Sequence, residues 1–195
     1  MHGLINRALQ CFLRDTYGPD FWADIMQAAD LGYTTFEPML MYEEEDTLSV
    51  LRLAADKLGK ARDDLLEDLG TYLVSHQNTQ ALRRLLRFAG ADFLEFLHSL
   101  DDLPGRARLA VPDLLLPALE LRDEDETTFT LICANDYPGF GHVMMGVLRA
   151  MADDYGALAF LELDESAKSH GALRIVLLDH EFAEGRSFEL ARKAG

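Results

Sequence analysis

The spacing of apolar residues changes near residue 110, and this change constrains the fold of the 195-residue chain more than any other feature. Up to that point, apolar residues recur at the three- and four-residue spacing of amphipathic helices. Beyond it, the segments LLLPALELRD, TTFTLICAN, LAFLELDE and ALRIVLLDHE are rich in apolar and β-branched residues, as strands are. The glycine-bounded stretch GFGHVMMGVLRAMADDYG separates the second strand from the third and predicts one further helix.

These patterns predict a single α+β domain over residues 1–195. A helical lobe of about 1–110 precedes an antiparallel four-stranded β-β-α-β-β lobe of about 111–185, which consists of two hairpins around a helix. A short C-terminal tail follows. Helices in the first lobe are expected over about 2–16, from Phe21 with Asp20 as its cap, and over about 47–58, 61–75, 79–89 and 92–103.

The helix predicted over 92–103 has clear signals at both ends. Asp92 and Glu95 have the spacing of a capping box, in which each side chain accepts a backbone hydrogen bond at the start of the helix. Pro104 lacks an N–H, so that Pro104-Gly105 is expected to end the helix.

Composition and charge exclude several classes of function. The net charge of −16 leaves no basic surface for nucleic acid and disfavours anionic membranes, but it suits a basic protein partner. The two cysteines form no CxxC pair, so neither a zinc site nor a disulfide framework is indicated. No apolar run reaches the roughly 18 residues of a spanning helix. Arg7 and Arg14 interrupt the first apolar pattern, which excludes a signal peptide, and we expect a cytoplasmic protein.

The sequence carries no signature of an enzyme. It lacks a glycine-rich phosphate loop, a Ser-His-Asp order and a pair of carboxylates in an apolar frame. The acidic runs YEEEDT and RDEDE are most simply solvated loops.

The first 25 residues, MHGLINRALQCFLRDTYGPDFWADI, resemble the start of haem nitric oxide/oxygen-binding (H-NOX) domains, including that of the β subunit of soluble guanylate cyclase. The shared run is Met-x-Gly, an amphipathic helix, Tyr-Gly-Pro and a Trp. The resemblance continues through LEDLG, LRFAGADFLEFLHSLDDL and PGFGHVMMGVL. It implies a sensor with a haem between the two lobes. A helical-lobe histidine would bind the iron, a Tyr-x-Ser-x-Arg motif would hold the propionates, and a separate kinase or cyclic-nucleotide enzyme would respond to gas binding.

The chain departs from the family at the histidine that would bind iron. Members read approximately Phe-Leu-x-x-Leu-Asp-x-Leu-His, whereas this chain reads FLHSLDDLP, which places Pro104 at the histidine position. At about 100° per residue, position 104 shares an inward stripe with Phe93, Leu97 and Leu100, and His98 lies on the charged side. Turning His98 inward would expose apolar side chains worth about 1.5–3 kcal/mol each. We therefore expect His98 on a solvated face.

The propionate motif departs as well. Its Tyr, Ser and Arg positions hold Cys133, Asn135 and Tyr137. An arginine fork binds a carboxylate through two charge-assisted hydrogen bonds, whereas Asn135 and Tyr137 could each donate only a neutral hydrogen bond, which is weaker. Both departures predict a chain without haem or metal.

Three histidines are the remaining candidates for an iron ligand. His142 opens the helix of the sheet lobe but is expected on its exposed side, and His76 follows the apolar run Leu73-Val74, which would bring it towards the lobe interface. His98 is the third candidate. Met144 and Met145 are soft potential ligands, but methionines at helical spacing usually belong to a core.

Two functions are therefore left open. The first is a haem-independent H-NOX-like module that binds another ligand, such as a small apolar molecule, or a signalling protein. The alternative is an NO/CO sensor that holds haem by atypical ligation. The space between the lobes is expected to be either filled by side chains or left as a small apolar pocket. It should be lined by Ile5, Leu73, Leu97, Leu100, Pro104 and Val143, with Cys133, Asn135 and Tyr137 at its rim.

Overall fold

The computed structural model describes residues 1–134, 137–164 and 170–188. Seven helices precede the sheet, and an eighth lies between its second and third strands. The helices are α1 (Gly3–Tyr17), α2 (Pro19–Ala29), α3 (Glu44–Leu58), α4 (Arg62–Ser75), α5 (Gln80–Arg87), α6 (Phe93–His98), α7 (Leu103–Ala110) and α8 (Phe140–Tyr155). The strands are β1 (Leu119–Asp123), β2 (Thr128–Ala134), β3 (Leu158–Asp164) and β4 (His170–Asp179).

The four strands form one antiparallel sheet in the order β1-β2-β4-β3. Both predicted hairpins are present, because β1 pairs with β2 and β3 pairs with β4. Alternate residues of the central strands face α8, and among them Leu131, Leu173 and Ile175 are fully buried. The predicted α+β class and the β-β-α-β-β order are confirmed.

The start of α2 differs from the prediction. Gly18, at φ 95°, is the residue before the helix, and Pro19 occupies the first turn. Proline is favoured there because the first N–H groups of a helix have no intrahelical acceptor. Asp20 is therefore not the cap but lies within the first turn, where its charge complements the helix dipole.

The segment expected to be one helix over 92–103 is longer and broken. Asp92 caps α6 by accepting a 2.8 Å hydrogen bond from the Glu95 amide, and the Glu95 carboxylate accepts one from Ala91. A 3-10 turn at Leu100–Asp102 then leads into α7. The prediction that Pro104-Gly105 ends the helix is wrong. Pro104 instead lies in the first turn of α7, where it gives up no hydrogen bond.

The buried apolar residues form two clusters. The first fills the space among α1, α2, α3 and α4 around Phe12, Trp22 and Phe36. The second joins the inner face of the sheet to α8 and also includes residues of α5, α6 and α7, such as Phe96 and Leu100. The division of the chain into lobes near residue 110 remains a prediction. In the structure, hydrophobic packing places α5, α6 and α7 with the sheet and α8.

Two glycines bring α4 and α8 into direct backbone contact. A Cβ added at Gly70 would lie 2.1 Å from the Val143 carbonyl oxygen, and one at Gly146 would lie 2.0 Å from the Glu67 carbonyl oxygen. Only glycine fits at such an approach. This contact joins the two apolar clusters and fixes where the first turn of α8 meets the helical half.

Candidate functional site

An apolar cavity of about 160 Å³ lies where α1, α3 and α4 meet the start of α8 and the segment before β1. Among the lining side chains in the described part of the chain, only Thr47 and Tyr137 carry a hydroxyl group. The other lining residues are Met1, Ile5, Ala8, Leu9, Leu48, Leu51, Leu66, Leu69, Leu73, Leu116, Pro117, Pro138, Gly139, Phe140 and Val143.

Four of the residues predicted from the sequence line this cavity. Ile5 comes from the first turn of α1, Leu73 from the last turn of α4 and Val143 from the first turn of α8, while Tyr137 lies just before α8. Gly139 turns the chain into α8 at φ 87°. A Cβ at this position would also lie 2.3 Å from Leu66.

Other predicted pocket residues lie elsewhere. Leu97, Leu100 and Cys133 belong to the core beneath the sheet, where each is at most 2% exposed. The cause is a direct contact, since the Leu121 amide of β1 donates a 2.7 Å hydrogen bond to Asp101. This contact places the 3-10 turn against the sheet.

Pro104 does not line the cavity, because it is partly buried at the start of α7. Asn135 lies outside the described residues, so its prediction is not tested. Burial raises the pKa of the Cys133 thiol to about 12, so the thiol is protonated in the core at neutral pH.

None of the three candidate histidines lines the cavity. The His98 side chain is 48% exposed, with Nδ1 3.8 Å from a carboxylate oxygen of Asp123. His76 stacks on the Tyr72 ring at a centroid distance of 4.7 Å. The expectation that His142 is solvent-exposed is wrong. Its side chain is 19% exposed, with Nε2 3.8 Å from Asp63, because α4 packs along this face of α8.

A buried polar row on α1 was not predicted. Asn6 and Gln10 are completely buried, and His2 is 4% exposed, one helical turn earlier. Thr47 donates a 2.7 Å hydrogen bond to Asn6 Oδ1, and Gln10 Oε1 accepts one of 2.9 Å from the Phe36 amide. The i, i+4 spacing of polar residues was visible in the sequence, but it does not reveal that the loop before α3 covers this face.

The resemblance implies a haem between the lobes, and the cavity does not fit one. An apolar cavity of about 150 Å³ holds a molecule the size of benzene, whereas a porphyrin contains four pyrrole rings. The described lining residues offer neither an imidazole nor a thiolate to iron, and Met1 provides only a thioether. They also include no lysine or arginine to pair with a propionate. Within the described residues, no group of three or more His, Cys, Asp or Glu side chains is placed to hold a metal ion.

Comparisons with known proteins agree with the fold. Soluble guanylate cyclase gcy-31 of Caenorhabditis elegans is 25% identical over 154 residues, which cover 79% of this chain and 22% of that protein. Soluble guanylate cyclase gcy-35 of the same organism is 30% identical over 175 residues, covering 87% and 25%. The chain thus spans about a quarter of the length of these relatives.

Solved structures show the same architecture. The unliganded Fe(II) H-NOX protein from K. algicida superposes with a TM-score of 0.80 at 17% identity, covering 94% of this chain and 100% of that one. An H-NOX protein mutant from S. oneidensis gives 0.80 at 18% identity, covering 93% and 98%. Among the described residues, no helix is both long and apolar enough to cross a membrane.

The model of the Haem-NO-binding family, HNOB, matches residues 2–159. Domains of this family are sensor modules and not catalytic domains, which agrees with the prediction that the chain is not an enzyme. With most of its length matched by the family model and its fold shared with H-NOX structures, the chain belongs to the Haem-NO-binding (H-NOX) family.

Proposed function

We propose that this domain is a haem-independent H-NOX module of the cytoplasm that binds a small apolar ligand in the cavity and acts on a separate signalling protein. The observation that carries the proposal is the chemistry of the cavity lining. It is aliphatic almost throughout and offers neither a histidine to iron nor a cation to propionates. At the two motif positions, Pro104 stands in place of the family's histidine and Tyr137 in place of its arginine, which supports the same conclusion from the sequence.

The lining also selects the class of ligand. A volume of about 160 Å³ suits a single aromatic ring or a short branched hydrocarbon. Thr47 already donates its hydroxyl proton to Asn6, so the hydroxyl group remains available only as an acceptor. A charged ligand would lose its hydration without gaining a partner, which is strongly unfavourable. The expected ligand is uncharged and carries at most one polar group.

Binding of fluorobenzene, followed by ¹⁹F NMR, tests the cavity. The parent protein is expected to bind it, and Val143→Phe, which fills the cavity, is expected to abolish binding. Val176→Phe is the matched control, because Val176 lies partly exposed on β4 away from the cavity. Equal binding by the parent and Val143→Phe would show that the cavity is not the site.

A second candidate is an NO/CO sensor with atypical iron ligation, which the family match favours. Variants distinguish the two candidates. If haem binds the parent and His98→Ala abolishes the signal, His98 is the ligand and the assignment of Pro104 to the histidine position is wrong. If the parent takes no haem but Pro104→His with Tyr137→Arg does, the haem-independent proposal gains support.

The proposed partner is a kinase or a cyclic-nucleotide enzyme. The support is that the matched relatives are named as guanylate cyclases and that this chain spans about a quarter of their length. Co-purification of the domain with a candidate cyclase or kinase, in the presence and absence of ligand, tests this part. The enzymatic activity of the co-purified partner is then measured with and without the domain. If the domain changes this activity neither in the presence nor in the absence of ligand, the proposed partner is contradicted.

A further inference from the structure

Three consecutive large apolar side chains are exposed in the loop between α2 and α3. Met39, Leu40 and Met41 are 72%, 54% and 68% exposed. Met39 and Leu40 form the second half of a turn in which the Leu40 amide donates to the Glu37 carbonyl, and Pro38 occupies the second position, which its ring favours. Met41 follows the turn. We call these three residues the Met39–Met41 tip. Single exposed apolar residues are common on proteins, but a contiguous group marks an interaction surface.

The tip is held firmly against the N-terminus of α1. The Gly3 amide donates a 2.8 Å hydrogen bond to the Leu40 carbonyl, and the Tyr42 amide donates one of 2.9 Å to the Met1 carbonyl. The Met1 ammonium group donates to the Tyr42 carbonyl at 2.6 Å. The Glu37 amide donates to the Tyr42 hydroxyl at 2.7 Å. A surface fixed in this way loses little conformational entropy when it binds a partner.

Several residues are committed to this loop position. A Cβ at Gly3 would lie 2.1 Å from the Glu37 carbonyl oxygen, so a larger residue would displace the loop. Gln10 is buried to bind the Phe36 amide, and its own side-chain NH2 group has no partner within the described part of the chain. An unpaired buried donor destabilises a fold. The fold therefore accepts the unfavourable free energy of the unpaired Gln10 NH2 group in return for the hydrogen bond that holds the loop, and this loop carries the tip.

The surroundings of the tip are acidic. Glu37, Glu43, Glu44 and Glu45 are all exposed, and residues 31–51 contain no lysine or arginine. The Met1 ammonium group, which bonds to Tyr42, offsets one of these four negative charges. With a net charge of −16, a second copy of the chain and an anionic membrane are both repelled. A protein groove with an apolar floor and a border of lysine or arginine matches the tip in both polarity and charge.

We propose that the Met39–Met41 tip is a docking surface for an apolar groove, bordered by basic residues, on a partner protein. Methionine side chains are flexible and polarisable, and they adapt to such grooves. The tip also adjoins the cavity, since Met1 lines the cavity and its ammonium group donates to the carbonyl of Tyr42, the residue after the tip. Docking at the tip does not depend on what the cavity holds.

A designed helical hairpin with a leucine-lined groove bordered by lysines serves as the probe. Methyl NMR of the seven methionines locates its contact site, because Met26, Met144 and Met151 are buried and act as internal references. The lysine-bordered hairpin is expected to shift the methyl signals of Met39 and Met41 and leave the buried ones in place. The same hairpin with a glutamate border is expected to leave all of them in place.

Variants then assign the binding. Met39→Ser with Met41→Ser is expected to weaken hairpin binding about tenfold or more, as removal of interface anchors does. Phe160→Ser changes a side chain that is 52% exposed on β3 and is expected to leave affinity unchanged. Gly3→Ala keeps the tip side chains but displaces the loop, and it is expected to weaken binding while circular dichroism shows a folded protein.

Three results would overturn the proposal. Equal affinity for the lysine- and glutamate-bordered hairpins would remove the charge argument. If Phe160→Ser weakened hairpin binding as much as the two serine substitutions in the tip, the binding would be nonspecific. Self-association in sedimentation, or binding to neutral lipid vesicles, that the two serine substitutions abolish would assign the tip to a second copy or to a membrane.

Discussion

The contact between α4 and α8 predicts a large effect from one added methyl group. In Gly146→Ala, the new Cβ would lie 2.0 Å from the Glu67 carbonyl oxygen and 2.8 Å from the Thr71 amide nitrogen. Both are backbone atoms, so no change of rotamer relieves the clash. The helices must separate by about 1 Å before the shorter distance reaches the 3.0 Å that real Cβ atoms keep.

The change in the free energy of unfolding that Gly146→Ala causes has two opposing contributions. Overpacking of a tight interior costs up to about 3 kcal/mol. Alanine is about 1 kcal/mol better than glycine inside a helix. The net expectation for Gly146→Ala is a destabilisation of about 2 kcal/mol. The variant should also widen the cavity, because Val143 lies on the same helix, one turn earlier.

Urea unfolding followed by far-UV circular dichroism measures this change. Gly105→Ala is the matched control, since Gly105 is an exposed residue of α7 with no heavy atom within 4 Å of an added Cβ. It is expected to raise the stability by up to about 0.5–1 kcal/mol. If Gly146→Ala were as stable as Gly105→Ala, the close approach of α4 and α8 described above would be incorrect.

Three further predictions concern titratable side chains. Asp154→Asn removes the buried counter-charge of Arg83, whose side chain is only 12% exposed and lies 2.9 Å from Asp154. This should destabilise the fold by about 3 kcal/mol, and an unchanged melting temperature in calorimetry would contradict it. Burial raises the pKa of Asp15, but hydrogen bonds from Tyr72 and Asn78 outweigh it, so the pKa lies below its ordinary value of 3.8. The carboxylate therefore stabilises the fold above pH 3.8, and this contribution is lost as pH falls through the lowered pKa. Asp15→Asn should flatten the acid limb of the plot of unfolding free energy against pH. An unaltered plot would refute this prediction. Cys133, with its pKa raised to about 12, should react with a thiol reagent at pH 8 only after unfolding, and rapid reaction in the native protein would be the opposite result.

Much of the fold follows from local patterns in the sequence. The order of elements in the sheet lobe depends on the change in periodicity and on the glycines around α8, both of which are local. The capping interaction of Asp92 was likewise readable from residue spacing. Pro104 was not, because a proline that ends one helix and a proline in the first turn of the next give the same sequence signal.

The candidate site was only partly predictable. Ile5, Leu73, Tyr137 and Val143 line the cavity at positions that the family resemblance suggested. Leu97 and Leu100 face inward, but they meet the sheet instead of the cavity. A helical wheel gives the direction of a side chain and not the identity of the element it meets.

The same limit explains two other residues. The position of His142 around the axis of α8 predicts which side of the helix it occupies. It does not show that α4 covers that side. Gln10 is a polar residue of an amphipathic helix, and its local sequence does not show that the loop before α3 buries it. Both depend on tertiary contacts between distant parts of the chain.

The absorbance spectrum of the purified protein, produced in cells supplied with haem, tests the central claim most directly. The described side chains that line the cavity offer iron no imidazole or thiolate and offer the propionates no cation. We therefore predict a colourless protein, with no Soret band after gel filtration. A Soret band equivalent to one haem per chain that persists through gel filtration would contradict the proposal of a haem-independent module.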